Sequence, residues 1–371
     1  MSRNYKIFIL VLVVLLSLIG GIIGGMLVRS YFLNSSFNVP LFGDINLGGQ
    51  YQSGSLVISQ PKKVIVEQDD RIAGVIEEIK KDMVVFYKKK STPEANQKIE
   101  AVDAVVKNYY SPSDIAGEGM ILTSDGWIIT PLNIANPQDF TVISEAGDIF
   151  DITEAILDKT TNYFFVKVSA NNLAVAQFNE KLDVSNGQVV INLNNNIVDI
   201  SYVRSARFDT ALGGVKSSET YYNKIKISQE NFERGSVVAG LNGHIFGLYE
   251  KDGLVTPMYQ FNQALTTLLS DKKIIRPTLG INYLNLYDLK GEDDLEGILV
   301  SKNTGGVFVT KGGAADKAGI LLNDQIIEMD GIKINAENSF SEAIQGRKSG
   351  DNIELTIVRE GKEQDIIVML E

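Results

Sequence analysis

Ile7 to Val28 is a run of 22 residues without a charge. Inside a bilayer every backbone N–H and C=O must be satisfied within the segment, so such a run can cross only as a helix. At about 1.5 Å per residue it is roughly 30 Å long, the thickness of the hydrocarbon layer. Arg3 and Lys6 precede it, and Arg29 follows closely. Basic residues favour the cytoplasmic side, which predicts a single pass through the cytoplasmic membrane, N-terminus inside and bulk outside. The alternative is a cleaved signal peptide, whose apolar region is about 7–15 residues and ends in a small-x-small site. This run is longer and carries Gly20-Gly21 and Gly24-Gly25 without such an exit. The reading is an uncleaved anchor over residues 1–29.

The other bounds come from what the chain lacks. At 371 residues it has room for two folded units plus extras. It has no cysteine, which excludes disulfides, thiolate nucleophiles and Cys-ligated zinc. With a single histidine, His244, and no H-E-x-x-H, neither a metal site nor a cofactor is expected. The net charge is −11 and the densest basic spot is Lys88-Lys89-Lys90, so nucleic acid is not an expected partner.

Residues 30–70 are rich in Asn, Ser, Gly and Gln without a sustained period, and read as a tether. Ile72, Val75, Ile76 and Ile79 recur at helical spacing and predict a helix over 71–81. From Met83 to about Met258 short β segments alternate with Gly, Asn and Asp turns, the mark of an all-β barrel or sandwich. Ser124-Asp125-Gly126 and Asn242-Gly243 are hairpin turns. Tyr259–Leu269 reads as a closing helix with Phe261, Leu265, Leu268 and Leu269 on one side. Residues 71–270 thus form one unit, 271–276 a connector, and 277–371 a second unit that holds most of the negative charge.

The second unit resembles a PDZ domain along its whole length. Gly305-Gly306-Val307-Phe308-Val309 reads as a strand with Val307 and Val309 alternating. Ala314–Ala318 is a short helix ending at Gly319, and Leu322–Gly331 and Ile353–Gly361 follow the same pattern. Asn323 stands where that family has a glycine. Arg276-Pro277-Thr278-Leu279-Gly280-Ile281 resembles the connector of HtrA-type proteases, R-P-Y-L-G-I. The resemblance implies that Thr278, Leu279, Gly280 and Ile281 form the loop that takes a peptide carboxylate, with the next strand as the docking edge. Phe340 and Ile344 are candidates for the apolar pocket, or else for the core.

The first unit resembles the trypsin-like barrel of the same family. Gly119–Ala135 is similar to the segment that carries the catalytic histidine, and Asn133 falls in that slot. Ala155–Val168 is similar to the segment with the catalytic aspartate; Asn162 falls there, and Asp158 matches an earlier, non-catalytic aspartate. In the nucleophile loop an ungapped count puts Arg234 in the serine slot and Phe232 in that of the oxyanion-hole glycine. A two-residue deletion would put Ser236 there instead. An amide cannot take the serine proton.

The expectation is therefore a mainly β protein: N-terminal transmembrane helix, trypsin-like double β-barrel, then a PDZ domain that is β-rich with two helices. Its expected role is that of a membrane-anchored HtrA-like pseudoprotease in extracytoplasmic protein quality control, chaperone-like or regulatory. The expected partners are polypeptide C-termini and misfolded proteins, the membrane through Ile7–Val28, and a homotrimer or a hetero-assembly with an active paralogue. The alternative is an active HtrA-type serine endopeptidase with a displaced triad.

Overall fold

The computed structural model describes residues 3–31, 36–39, 43–46, 64–90, 109–178, 183–195, 197–289 and 295–371. Two compact units are distinguished, Met1–Val64 and Ile65–Glu371. In the first, helix α1 (Arg3–Tyr31) contains the whole uncharged run. Its stretch Ile9–Met26 is long and apolar enough to cross a membrane, and none of it is buried. Strands β1 (Ser36–Val39) and β2 (Gly43–Asn46) then pair antiparallel, Phe37 opposite Ile45. The tether reading placed no element there, because four-residue strands are too short to show a period. Residues 47–63 of that tether lie outside the described residues.

Helix α2 (Val64–Lys81) begins at Val64 rather than Arg71. The β-branched run Val64-Ile65-Val66 argues against helix by propensity, a weak prior that context overrides. The helix buries Val75 and Ile79, four residues apart on one face.

Six strands then close a barrel: β3 (Met83–Lys88), β4 (Ile115–Ile121), β5 (Trp127–Thr130), β6 (Phe140–Ser144), β7 (Ile149–Asp158) and β8 (Tyr163–Val168). Their order around the ring is β3-β4-β5-β8-β7-β6. A second barrel follows from β9 (Val189–Leu193) and β10 (Val198–Asp209). The next strand, β11 (Lys216–Ser217), leaves it, and β12 (Asn223–Ile227), β13 (Val237–Gly240), β14 (Ile245–Lys251) and β15 (Leu254–Pro257) complete it. The ring order β9-β10-β12-β15-β14-β13 repeats the connectivity of the first. Closure leaves neither barrel with a free edge.

The barrels share a core. Met120, Trp127, Ile129, Tyr163 and Phe165 of the first meet Ile191, Leu193, Val237 and Leu248 of the second. Helix α3 (Asn262–Asp271) covers this core with Ala264 and Leu268, after a 3₁₀ turn over Met258–Phe261. The expected helical face is kept only in part: Leu268 and Leu269 stand about 100° apart on α3, so Leu268 packs inward with Phe261 while Leu269 stays 41% exposed.

The last sheet contains β16 (Asn282–Asn285), β17 (Ile298–Val300), β18 (Gln325–Met329), β19 (Ile332–Lys333), β20 (Asn352–Arg359) and β21 (Lys362–Met369). It carries two helices, α4 (Ala314–Lys317) and α5 (Phe340–Gln345). Gly319 follows α4 at φ +78°, as its cap position requires, and Asn323 takes φ +68° where a glycine was expected. The strand expected through Val307 and Val309 is not formed. Asn303 Oδ1 accepts from the amides of Gly305 and Val307 and holds a turn there, leaving Val309 with an isolated bridge to Ile281.

Candidate functional site

The loops that carry Asn133, Asn162 and Arg234 meet at the seam between the barrels. Asn133 lies just after β5, in a loop fixed by Thr130, whose hydroxyl donates to Glu118 O at 2.6 Å and accepts from Leu132 N at 3.1 Å. Asn162 ends the turn between β7 and β8 in the left-handed region, φ +58°, its amide donating to Asp158 O. Arg234 joins the two. Its guanidinium donates to Pro131 O at 3.2 Å and to Asn162 O at 3.3 Å, and lies 5.5 Å from the centre of the Tyr163 ring. The neighbouring Gly235 packs against Pro131. A Cβ there would come within 2.6 Å of Pro131 Cγ, and φ is +94°, so only glycine brings the two loops this close.

Arg234 is a permanent cation with no acceptor, and both asparagines are neutral amides. Ser236 is turned away from solvent, 1% exposed, with its hydroxyl donating to Glu233 O at 2.7 Å. Phe232 stacks edge-on against Tyr249 at 6.1 Å. His244 sits at the β13–β14 hairpin, its Nδ1 buried without a hydrogen-bond partner. Ser236 pairs with Tyr249 across the ladder. His244 is five residues from Tyr249 along that strand, roughly 15 Å at strand rise. The buried Lys224 is no substitute base for Ser236. Burial lowers its pKa, which alone would favour a base, but its Nζ is committed to Glu250 at 3.1 Å, Thr256 at 3.0 Å and Gln260 at 3.4 Å, and none of these bonds reaches Ser236.

The second candidate site is the groove beside β16. Gly280 has φ +82°, and the amides of Leu279 and Gly280 point to one acceptor. That acceptor is Glu219 Oε1, at 3.0 and 2.8 Å. β11 pairs antiparallel with β16, Lys216 opposite Tyr283 and Ser217 opposite Asn282. Thr278 is tied elsewhere, exchanging backbone hydrogen bonds with Glu371. Phe340 and Ile344 are fully buried in the core of this sheet, Phe340 edge-on to Tyr283 at 5.3 Å.

Known proteins share the fold. Residues 278–370 match the PDZ domain model. Over 273 residues the chain is 23% identical to a probable periplasmic serine endoprotease DegP-like of Marinomonas sp. (strain MWYL1), covering 69% of this chain and 56% of that one. Over 308 residues it is 23% identical to the serine protease Do-like HtrA of Lactococcus lactis subsp. cremoris (strain MG1363), covering 70% and 74%. Among solved structures, the HtrA-type protease AlgW with decapeptide aligns at TM-score 0.55 and 15% identity, over 81% of this chain and 98% of that one. The chain carries a C-terminal PDZ domain and is similar over about 70% of its length to HtrA-type serine proteases. It spans about half the length of the periplasmic DegP-like relatives.

The seam also holds a titratable group that spacing did not reveal. Glu118 on β4 is 7% exposed. Its Oε1 accepts from Asn195 N of the second barrel at 2.8 Å, while Oε2 is buried without a hydrogen-bond partner. Burial, and next the nearby Glu233 carboxylate, push its pKa up to about 7, against the Asn195 hydrogen bond. Exposure is a tertiary property, so no local pattern marks this residue.

The folded pKa lies above the unfolded one, so between about pH 4.5 and 7 the folded state binds more protons, and stability falls as pH rises. Glu118→Gln keeps the acceptor and removes the charge. Its stability relative to wild type should grow from near zero at pH 4 to about 2–3 kcal/mol at pH 8. Urea unfolding of both proteins at the two pH values checks this; a difference independent of pH would refute it.

Proposed function

We propose that this chain is a membrane-anchored HtrA-like pseudoprotease that binds polypeptide C-termini or misfolded chains outside the cytoplasmic membrane and does not cut them. The observation that carries the reading is Arg234, a cation bridging the loops of Asn133 and Asn162 where the resemblance puts the nucleophile. A hydrolytic site there would need a proton acceptor, and none of these three side chains can act as one. Binding is supported by the paired amides of Leu279 and Gly280, which already hold a carboxylate. Anchoring is supported by Ile9–Met26 and the basic residues before it. The role is that of a scaffold or chaperone-like subunit in protein quality control, alone as a homotrimer or mixed with an active paralogue.

The test uses the full chain in mild detergent. A labelled peptide with a free C-terminal carboxylate should bind at least tenfold more tightly than its C-terminal amide in fluorescence anisotropy. Equal binding of the two forms would remove carboxylate recognition from the reading. Mass spectrometry of the recovered peptide should show it intact. Cleavage that disappears in Ser236→Ala would establish the displaced-triad endopeptidase instead.

A further inference from the structure

The groove beside β16 is occupied by the chain itself. β11 lies antiparallel to β16, as an added peptide strand would. After it, Ser218 N donates to Ile281 O at 3.0 Å, and Ser218 Oγ accepts from Ile281 N at 3.1 Å. The carboxylate of Glu219 then accepts the amides of Leu279 and Gly280. This is the loop and direction in which a ligand's terminal carboxylate is expected. Here a side-chain carboxylate stands in for it.

The rest of the segment is held by both the barrel and the PDZ domain. Lys216, 4% exposed, is ion-paired with Asp209 and lies 3.7 Å from Asp288 beyond β16. Gln345 of α5 donates to Ser218 O at 3.3 Å and to Pro277 O at 3.1 Å. The Ser217 hydroxyl donates to the other Glu219 oxygen at 2.7 Å. A surface loop with no role in the groove has no reason to satisfy the carboxylate loop so completely.

We propose that Lys216–Glu219 is an internal ligand that closes the PDZ groove, with Glu219 as its anchoring carboxylate. The proposal rests on the reading of the groove as a binding site for C-terminal carboxylates. An outside peptide and the segment exclude each other, because both need the edge of β16 and the same two amides. The apparent affinity for peptide is then the intrinsic affinity multiplied by the fraction of molecules with the segment released. A peptide that does bind sets Lys216–Glu219 free, so occupancy of the groove is reported to the second barrel through the β10–β12 connection.

Three measurements on the full chain in detergent decide this. In hydrogen exchange, the Leu279–Tyr283 amides should be protected in wild type and exchange at least tenfold faster in Glu219→Ala, with Glu219→Gln between them. The labelled free-carboxylate peptide should bind Glu219→Ala at least tenfold more tightly than wild type. Because the chain has no cysteine, Ser217→Cys with Asn282→Cys forms a single engineered pair at facing strand positions. Oxidation should abolish peptide binding and reduction should restore it.

Unchanged exchange in Glu219→Ala, or equal peptide affinity in wild type and oxidised double mutant, overturns the proposal while leaving carboxylate recognition standing. Faster exchange with no peptide bound by any variant supports the internal ligand and removes the peptide-binding reading. Should Glu219→Ala fail to fold, the reversible cross-link decides alone.

Discussion

Casein incubated with the full chain is expected to remain uncut, with Ser236→Ala indistinguishable from wild type. The expected rate lies about 10⁶-fold below that of an intact triad, since removing the members of such a unit costs about that much in kcat. What survives triad loss is roughly 10³–10⁴ over water, and it depends on an intact oxyanion hole. On the ungapped count the glycine slot of that hole falls on Phe232, whose ring packs on Tyr249. Asn133→His alone should also yield nothing. The new imidazole would stand in a loop tied to the Arg234 cation through Pro131 O, while the Ser236 hydroxyl stays committed to Glu233 O. Release of fluorescent peptides from labelled casein is the readout. Activity that is lost in Ser236→Ala would overturn the expectation, because that serine is now buried with its hydroxyl on Glu233 O.

What could be foreseen from sequence depended on how local each feature is. β5 and β6 lie in the stretch expected to hold short β segments, where the turn glycines Gly126 and Gly147 stand beside them in sequence. The paired Phe340 and Ile344 could be read as a pocket or a core, and burial rather than spacing makes them core. β11 has only two residues and no pattern; it is a strand because β16 offers an edge. Glu219 likewise carries no motif, and its partners Leu279 and Gly280 lie some sixty residues further on. Glu118 becomes distinctive only when the second barrel covers it. Arg234 was placed near Asn133 and Asn162 by resemblance; its two hydrogen bonds are a property of the fold.

Arg276→Ala is expected to destabilise the Ile65–Glu371 unit by about 3–5 kcal/mol, the cost of leaving one partner of a buried ion pair uncompensated. Asp158 is 1% exposed and its carboxylate is paired with Arg276. The same guanidinium donates to Gln260 O at 3.0 Å and to the Tyr221 hydroxyl at 3.3 Å, and its carbon lies 5.6 Å from the centre of the Tyr221 ring. Arg276→Ala removes all of these and strands a carboxylate in the interior. A thermal melt should shift down by about 10 °C for a unit of this size. Asp158→Asn in the same chain should recover part of the loss, since it removes the unpaired charge; additive losses would mean the two residues are not coupled. The pair also bears on the cleft. Asp158 accepts from Thr160 N and from the Thr161 hydroxyl, which shapes the turn ending at Asn162. Arg276 belongs to the connector that leads into the Leu279–Gly280 loop. The residue that fixes the connector therefore also fixes the turn on which Arg234 rests, and its loss should raise hydrogen exchange at Asn162 as well as at Leu279.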